Sequence, residues 1–173
     1  MTLNAEQASA IAKHLFEAIK AESNGEQFYL MVAASTADEK GRAVFTQLAD
    51  EERRHQQYLK AQYQALKETG QLDTSAKLGN RVDLTGPSPI FSDALKARAK
   101  DAHLEMSALS IGIQQELGAV KFYQAAAKAA DEPAAKAFFE ELAEWESGHY
   151  SALLRQQELL QGDYWSAAGF SPF

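Results

Sequence analysis

Two Glu-x-x-His pairs stand out in this sequence: Glu52 with His55, and Glu146 with His149. On a helix, residues three apart lie on one face, so each pair can aim a carboxylate and an imidazole at a single point. Each pair also has a lone glutamate 30 residues upstream, Glu22 before Glu52 and Glu116 before Glu146. Carboxylates and imidazoles grouped in this way are the donors of a metal site. Four carboxylates with only two imidazoles suit iron, or manganese, better than copper or structural zinc. A bundle that carries one Glu on each of two helices and Glu-x-x-His on each of the other two holds a pair of such ions. Four unpaired carboxylates inside a core would be costly. Two divalent ions contribute about +4 and neutralise them.

The positions are tied together by an internal repeat with an offset of 94 residues. Segment 43–55 reads AVFTQLADEERRH and segment 137–149 reads AFFEELAEWESGH. Phe28 and Tyr29 recur as Phe122 and Tyr123, Phe45 as Phe139, and Leu48 as Leu142. The repeat discriminates among neighbouring residues. Glu51 maps onto Trp145 and Glu26 onto Val120, so Glu52 and Glu22 are the better ligands. His14 and His103 have no symmetric mates and are read as ordinary surface or core residues. Tyr29 and Tyr123 lie two turns past Glu22 and Glu116 on the same face. They are either core aromatics or hydrogen-bond donors to a metal-binding carboxylate. Gly25 and Ala119, one turn after the lone glutamates, are small and leave space beside the metals.

These residues need long helices to position them. Apolar residues recur with helical periodicity over about 5–35, 37–67, 107–130 and 132–162. Asn4 with Gln7 reads as a capping box for the first segment. Thr36 with Glu39 is a candidate cap pair for the second, and Gly70 stands just past its end. Asp131 is the expected N-cap of the fourth, with Pro133 in its first turn. Residues 69–106 are richer in Gly, Pro, Asn, Asp and Ser and include Pro87 and Pro89. They read as a long connection with a short helix capped by Ser92 or Asp93. The fold expected is all-α: a four-helix bundle of two hairpins, about 4–68 and 107–162, in a single domain over 1–173. The connection 69–106 crosses between helices 2 and 3, and the aromatic tail 163–173 packs back on a bundle end or a partner subunit. Within each hairpin the lone glutamate and the Glu-x-x-His pair lie equally far from the turn, and so at one height.

Composition narrows the classes further. The chain has 173 residues, enough for one sizeable core. It contains no cysteine, which excludes disulfides, iron–sulfur clusters and thiol nucleophiles within it. The formal net charge of −7 argues against a nucleic-acid partner. No apolar run approaches a membrane span, and no basic segment followed by an apolar run opens the sequence, so a cytoplasmic protein is expected.

The sequence resembles the ferritin-like, rubrerythrin-type proteins. The resemblance rests on Glu22 with Phe28–Tyr29, Glu52-x-x-His55, Glu116 with Phe122–Tyr123, and Glu146-x-x-His149, and covers roughly residues 5–160. It implies a di-iron centre in which Glu52 and Glu146 bridge the ions. Glu22 and Glu116 would be terminal ligands, and His55 and His149 would complete one iron each. It also implies iron and oxygen redox chemistry: oxidation of Fe(II) by O2 or H2O2, or reduction of peroxide by an external electron donor. Iron storage without turnover and oxygenation of an organic substrate are the alternatives. Two departures matter. Rubrerythrins proper carry a four-cysteine rubredoxin domain, which this sequence lacks. They also have a further glutamate three residues after the helix-3 ligand, where this chain has Ala119. That moves the site toward the symmetric six-ligand pattern of ferroxidase centres. A homodimer is expected, and the long crossover would allow two chains to exchange hairpins.

Overall fold

The computed structural model describes residues 3–79, 90–97 and 102–167. Among them are five helices and no strand: α1 Ala5–Ser35, α2 Glu39–Thr69, α3 Asp93–Lys96, α4 His103–Ala129 and α5 Pro133–Ala167. Helices α1 and α2 form one closely packed antiparallel hairpin, and α4 and α5 the other. The result is the expected all-α, ferritin-like bundle.

The helix ends show which local signals were decisive. Asn4 and Gln7 form the reciprocal capping box of α1: Asn4 accepts from the Gln7 N–H at 2.8 Å, and Gln7 accepts from the Asn4 N–H at 3.0 Å. Gly70 ends α2 in the left-handed conformation, at φ 72°, which favours glycine. The expected cap pair for α2 is corrected. Asp38 is the N-cap, accepting from the Gly41 N–H at 2.9 Å. Thr36 instead closes α1 and donates its hydroxyl to Glu105 at 2.9 Å. At α5 the cap is Glu132 rather than Asp131, because the Glu132 carboxylate accepts from the Ala135 N–H at 2.6 Å. Helix α4 starts at His103, one turn before the expected 107, where buried Ala102, Glu105 and Ala108 pack it down. Helix α5 continues past Gly162 to Ala167, since Leu160 is buried and Tyr164 packs on the same cluster. The start of the expected tail is therefore helix; residues 168–173 lie outside the described residues, as do Pro87 and Pro89.

The described parts of the crossover are fastened near the two ends of α2. Near the C-terminal end of α2, the buried Gln62 amide grips the backbone of Asp73: its Nε2–H donates to the Asp73 carbonyl at 2.8 Å and its Oε1 accepts from the Asp73 N–H at 2.9 Å. At the other end of α2, Ile90, Phe91 and Leu95 are buried in the core beside Val44 and Phe45. Ser92, the N-cap of α3, donates its backbone N–H to Asp38 at 3.1 Å and its hydroxyl to the same carboxylate. Gln62 and Asp38 are 24 residues apart along α2, so the span between these anchors is about 36 Å at ~1.5 Å per residue.

Asp38 therefore holds both the start of α2 and the end of the crossover. Asp38→Ala is expected to cost about 1–2 kcal/mol, since it removes an N-cap and leaves Ser92 without its acceptor. A lower midpoint in urea at unchanged slope checks this. Burial alone would raise the Asp38 carboxyl above its ordinary value of 3.8, but the hydrogen bonds from Ser92 and Gly41 outweigh it and hold it lower. Its stabilising contribution is thus complete above the unfolded value and is lost as pH falls through the folded one.

Two apolar clusters fill the bundle. One gathers Tyr29, Val32, Phe45, Leu48, Leu109 and Leu153; the other gathers Leu15, Leu59, Tyr123, Phe139 and Leu142. The repeat is visible in their packing. Tyr29 stacks on Phe45 at 6.2 Å between ring centroids, and Tyr123 on Phe139 at 6.5 Å.

Candidate metal centre

A layer of buried acid and imidazole groups lies where the two hairpins face each other. Glu22 comes from α1, Glu52 and His55 from α2, Glu116 from α4, and Glu146 and His149 from α5. All six are between 1% and 4% exposed. Their ligating atoms fall into two groups, each within 4.8 Å: Glu52, Glu116, Glu146 and His149 in one, Glu22, His55 and Glu146 in the other. All six residues expected from the repeat are thus brought together, with Glu146 common to both groups.

Both imidazoles present Nδ1 to the carboxylates. His55 Nδ1 lies 3.4 Å from Glu22 and 3.2 Å from Glu146. His149 Nδ1 lies 3.5 Å from Glu146, 3.8 Å from Glu52 and 3.9 Å from Glu116. The two rings are nearly parallel, at an interplanar angle of 16°. None of these contacts satisfies the inward-facing atoms. Among the described residues, the buried side-chain N and O atoms without a hydrogen-bond partner are Glu52 Oε1, Glu146 Oε1, His149 Nδ1, both ring nitrogens of His55, and Nε2 of Gln156. All but the last belong to the cluster. An unpaired buried polar atom costs about 1–3 kcal/mol, so concentrating five of them at one place is expensive unless something binds there. A metal pair meets that requirement for four of them, the two carboxylate oxygens and the two Nδ1 atoms, while His55 Nε2 lies on the far side of its ring; the donor set is one that can hold such a pair.

The charges of the cluster show the same demand. Burial, then the charges of Glu22 and Glu116, push the Glu52 carboxyl well above the usual range. Burial and the charge of Glu146 do the same to Glu116. Burial would lower His55, but Glu146 and Glu22 beside it push it up to about 10. His149 is raised in the same way, by Glu146 and Glu51 against its burial. Glu146 is held low by the two imidazoles despite its burial. Without cations the cluster therefore keeps protons, and metal ions must displace them to bind.

The two tyrosines resolve in favour of hydrogen bonding. Tyr29 on α1 donates to Glu116 on α4, and Tyr123 on α4 donates to Glu22 on α1. The two bonds are exchanged by the 94-residue repeat. Burial and the neighbouring carboxylates raise both phenols well above 10, so each remains a donor.

One participant was not expected in its observed role. Glu51 is fully buried and accepts from His149 Nε2 at 2.6 Å, with Arg54 at 3.5 Å on its other side. That bond places the proton on Nε2 and leaves Nδ1 free to face the cluster. The repeat hides this role, because the mate of Glu51 is Trp145. Trp145 meets the His55 ring edge-on at 5.2 Å between centroids. Glu26 is not in the cluster; it pairs with Arg53 at 2.8 Å. His14 packs against Phe122 and Phe139, and His103 against Tyr164. No helix of the described residues is long and apolar enough to cross a membrane.

The Rubrerythrin family model matches residues 13–157 of the chain. No curated protein and no solved structure gives a significant match.

Proposed function

The chain belongs to the rubrerythrin family, and from that premise we propose that Glu22, Glu52, His55, Glu116, Glu146 and His149 hold two iron ions that carry out iron and oxygen redox chemistry. The observation that supports this reading is the set of buried side-chain atoms without hydrogen-bond partners, all but one of which, among the described residues, lie in these residues. When bound, the iron pair supplies two electrons to O2 or H2O2 and is re-reduced from outside. Residues 1–173 contain no cysteine, so no cysteine-held iron centre within them supplies those electrons.

The protein's own residues hold the geometry and the protons. Glu51 sets the tautomer and orientation of His149. The two tyrosines each occupy one oxygen of a lone glutamate, which leaves the other oxygen to bind. Tyr29→Phe and Tyr123→Phe are each expected to weaken metal binding by about 10–100-fold while keeping two ions per chain at saturation. Competition with a chelator of known affinity measures the loss.

The functional test starts from protein loaded anaerobically with Fe(II). Addition of O2 or H2O2 is followed by the optical bands of the oxidised centre and by stoichiometry. Two irons oxidised once per chain supports a ferroxidase centre. Repeated consumption of peroxide with a reductant present supports a peroxidase. Wild-type protein that takes up no iron under these conditions refutes both.

A further inference from the structure

A cavity of about 520 Å³ opens between α1 and α4 and ends on the proposed metal centre. Its floor is formed by Glu22, Glu52, Glu116 and Glu146. O2 and H2O2 each need little more than the ~30 Å³ of a water molecule. The two ions with their bound water would fill only part of what remains. The volume lies instead within the ~300–1,000 Å³ range of sites for small organic molecules.

The space exists because the helix faces bordering it carry little. Ala21 and Gly25 on α1 oppose Gly118 and Ala119 on α4, with Phe122 as the aromatic wall. At Gly25 space is tight, since a Cβ there would come within 3.1 Å of the Glu52 carboxylate, which would have to shift by a few tenths of an ångström. Gly118 is the reverse case: a Cβ there would meet nothing within 4 Å. Ala119 leaves open the position where a longer side chain would reach toward the carboxylates.

The lining also selects by charge. Among the described residues that line the cavity, none is Lys, Arg or His, and Glu17 lies near the mouth. In the metal-free protein nothing in this lining would compensate an organic anion. The remaining polar groups at the mouth are the carboxamides of Asn24, Gln114 and Gln115. A carboxamide both donates and accepts, which suits a hydroxyl or carbonyl on an uncharged ligand.

We propose that this cavity binds a small uncharged organic molecule, with an apolar or aromatic body along Phe122 and Ala119 and a polar end at the carboxamide mouth. The inference rests on the di-metal reading, because the cavity places such a molecule beside the metals.

The test uses the full chain, metal-free and loaded with zinc, which is redox-silent. Saturation-transfer NMR is recorded with phenol and benzyl alcohol as neutral probes and benzoate as the anionic control. Both neutral probes are expected to bind either form, and benzoate to fail with the metal-free protein. Ala119→Leu and, separately, Gly118→Leu fill the space without replacing a ligand residue; each is expected to weaken the neutral probes by about ten-fold or more. Absence of neutral-probe binding, binding of benzoate to the metal-free protein as strong as that of phenol, or indifference to both substitutions overturns the proposal. Zinc analysis in parallel separates the two readings. Two zinc ions per chain without probe binding rejects the cavity and leaves the metal centre. Fewer than two zinc ions with probe binding intact rejects the metal centre instead.

Discussion

Glu146→Ala is expected to abolish binding of the metal pair, whereas Glu22→Ala is expected to leave one ion bound. The difference follows from how the ligating atoms are grouped. Glu146 belongs to both groups, and its two oxygens lie near the two imidazoles, at 3.2 Å from His55 and 3.5 Å from His149. Removing it takes a donor from each ion. It also leaves two buried imidazoles without the carboxylate that faces them both. Glu22 belongs only to the group that contains His55. Its loss weakens that position and leaves the group of Glu52, Glu116, Glu146 and His149 whole. Metal analysis after loading, together with anaerobic Fe(II) titration, reads the count directly. His149→Ala is expected to resemble Glu22→Ala, with the surviving ion on the His55 side. A Glu146→Ala protein that still binds two irons at wild-type affinity would remove the proposed centre.

The second large effect concerns stability. Binding at a free ion concentration about 1,000 times Kd stabilises the folded chain by about 4 kcal/mol. For a chain of this size each kcal/mol moves Tm by about 2–4 °C, so chelation is expected to lower Tm by about 8–16 °C. The metal-free protein carries the cost of the unpaired cluster. Replacing all six residues by apolar ones of similar size removes that cost along with the site, because buried ionic groups are often no better for stability than well-packed hydrophobic residues. The six-fold variant is therefore expected to melt above metal-free wild type and to ignore added metal. Calorimetric melting of the two proteins, each with and without Fe(II) under anaerobic conditions, makes the comparison. If metal-free wild type is already as stable as the loaded form, the cluster is satisfied without ions and the cost argument fails.

Much of the site was legible because its geometry is local. Within a hairpin, the turn and the helical rise place Glu22 level with Glu52, and the i, i+3 spacing joins Glu52 to His55. The 94-residue repeat then carries the same arrangement to Glu116, Glu146 and His149. The helix boundaries were less legible wherever packing overrode a local signal. Gly162 looked like a stop, but glycine ends a helix only where the chain needs the left-handed conformation, and buried Leu160 with Tyr164 carries α5 onward. Thr36 looked like a cap, but Glu105, 69 residues away, takes its hydroxyl.

The sequence by itself determined which six acid and imidazole residues are buried together and the two hairpins that carry them, since each depends on rise, periodicity and repetition along the chain. Only the tertiary structure decided how the hairpins meet. It assigned Tyr29 to Glu116 and Tyr123 to Glu22, rather than each to the glutamate of its own helix. It also gave Glu51 to His149 and set Trp145 against His55, which makes the surroundings of the two imidazoles unequal. Finally, it left the cavity between α1 and α4. These features join residues far apart in the chain, and helical periodicity sets no distance between separate helices.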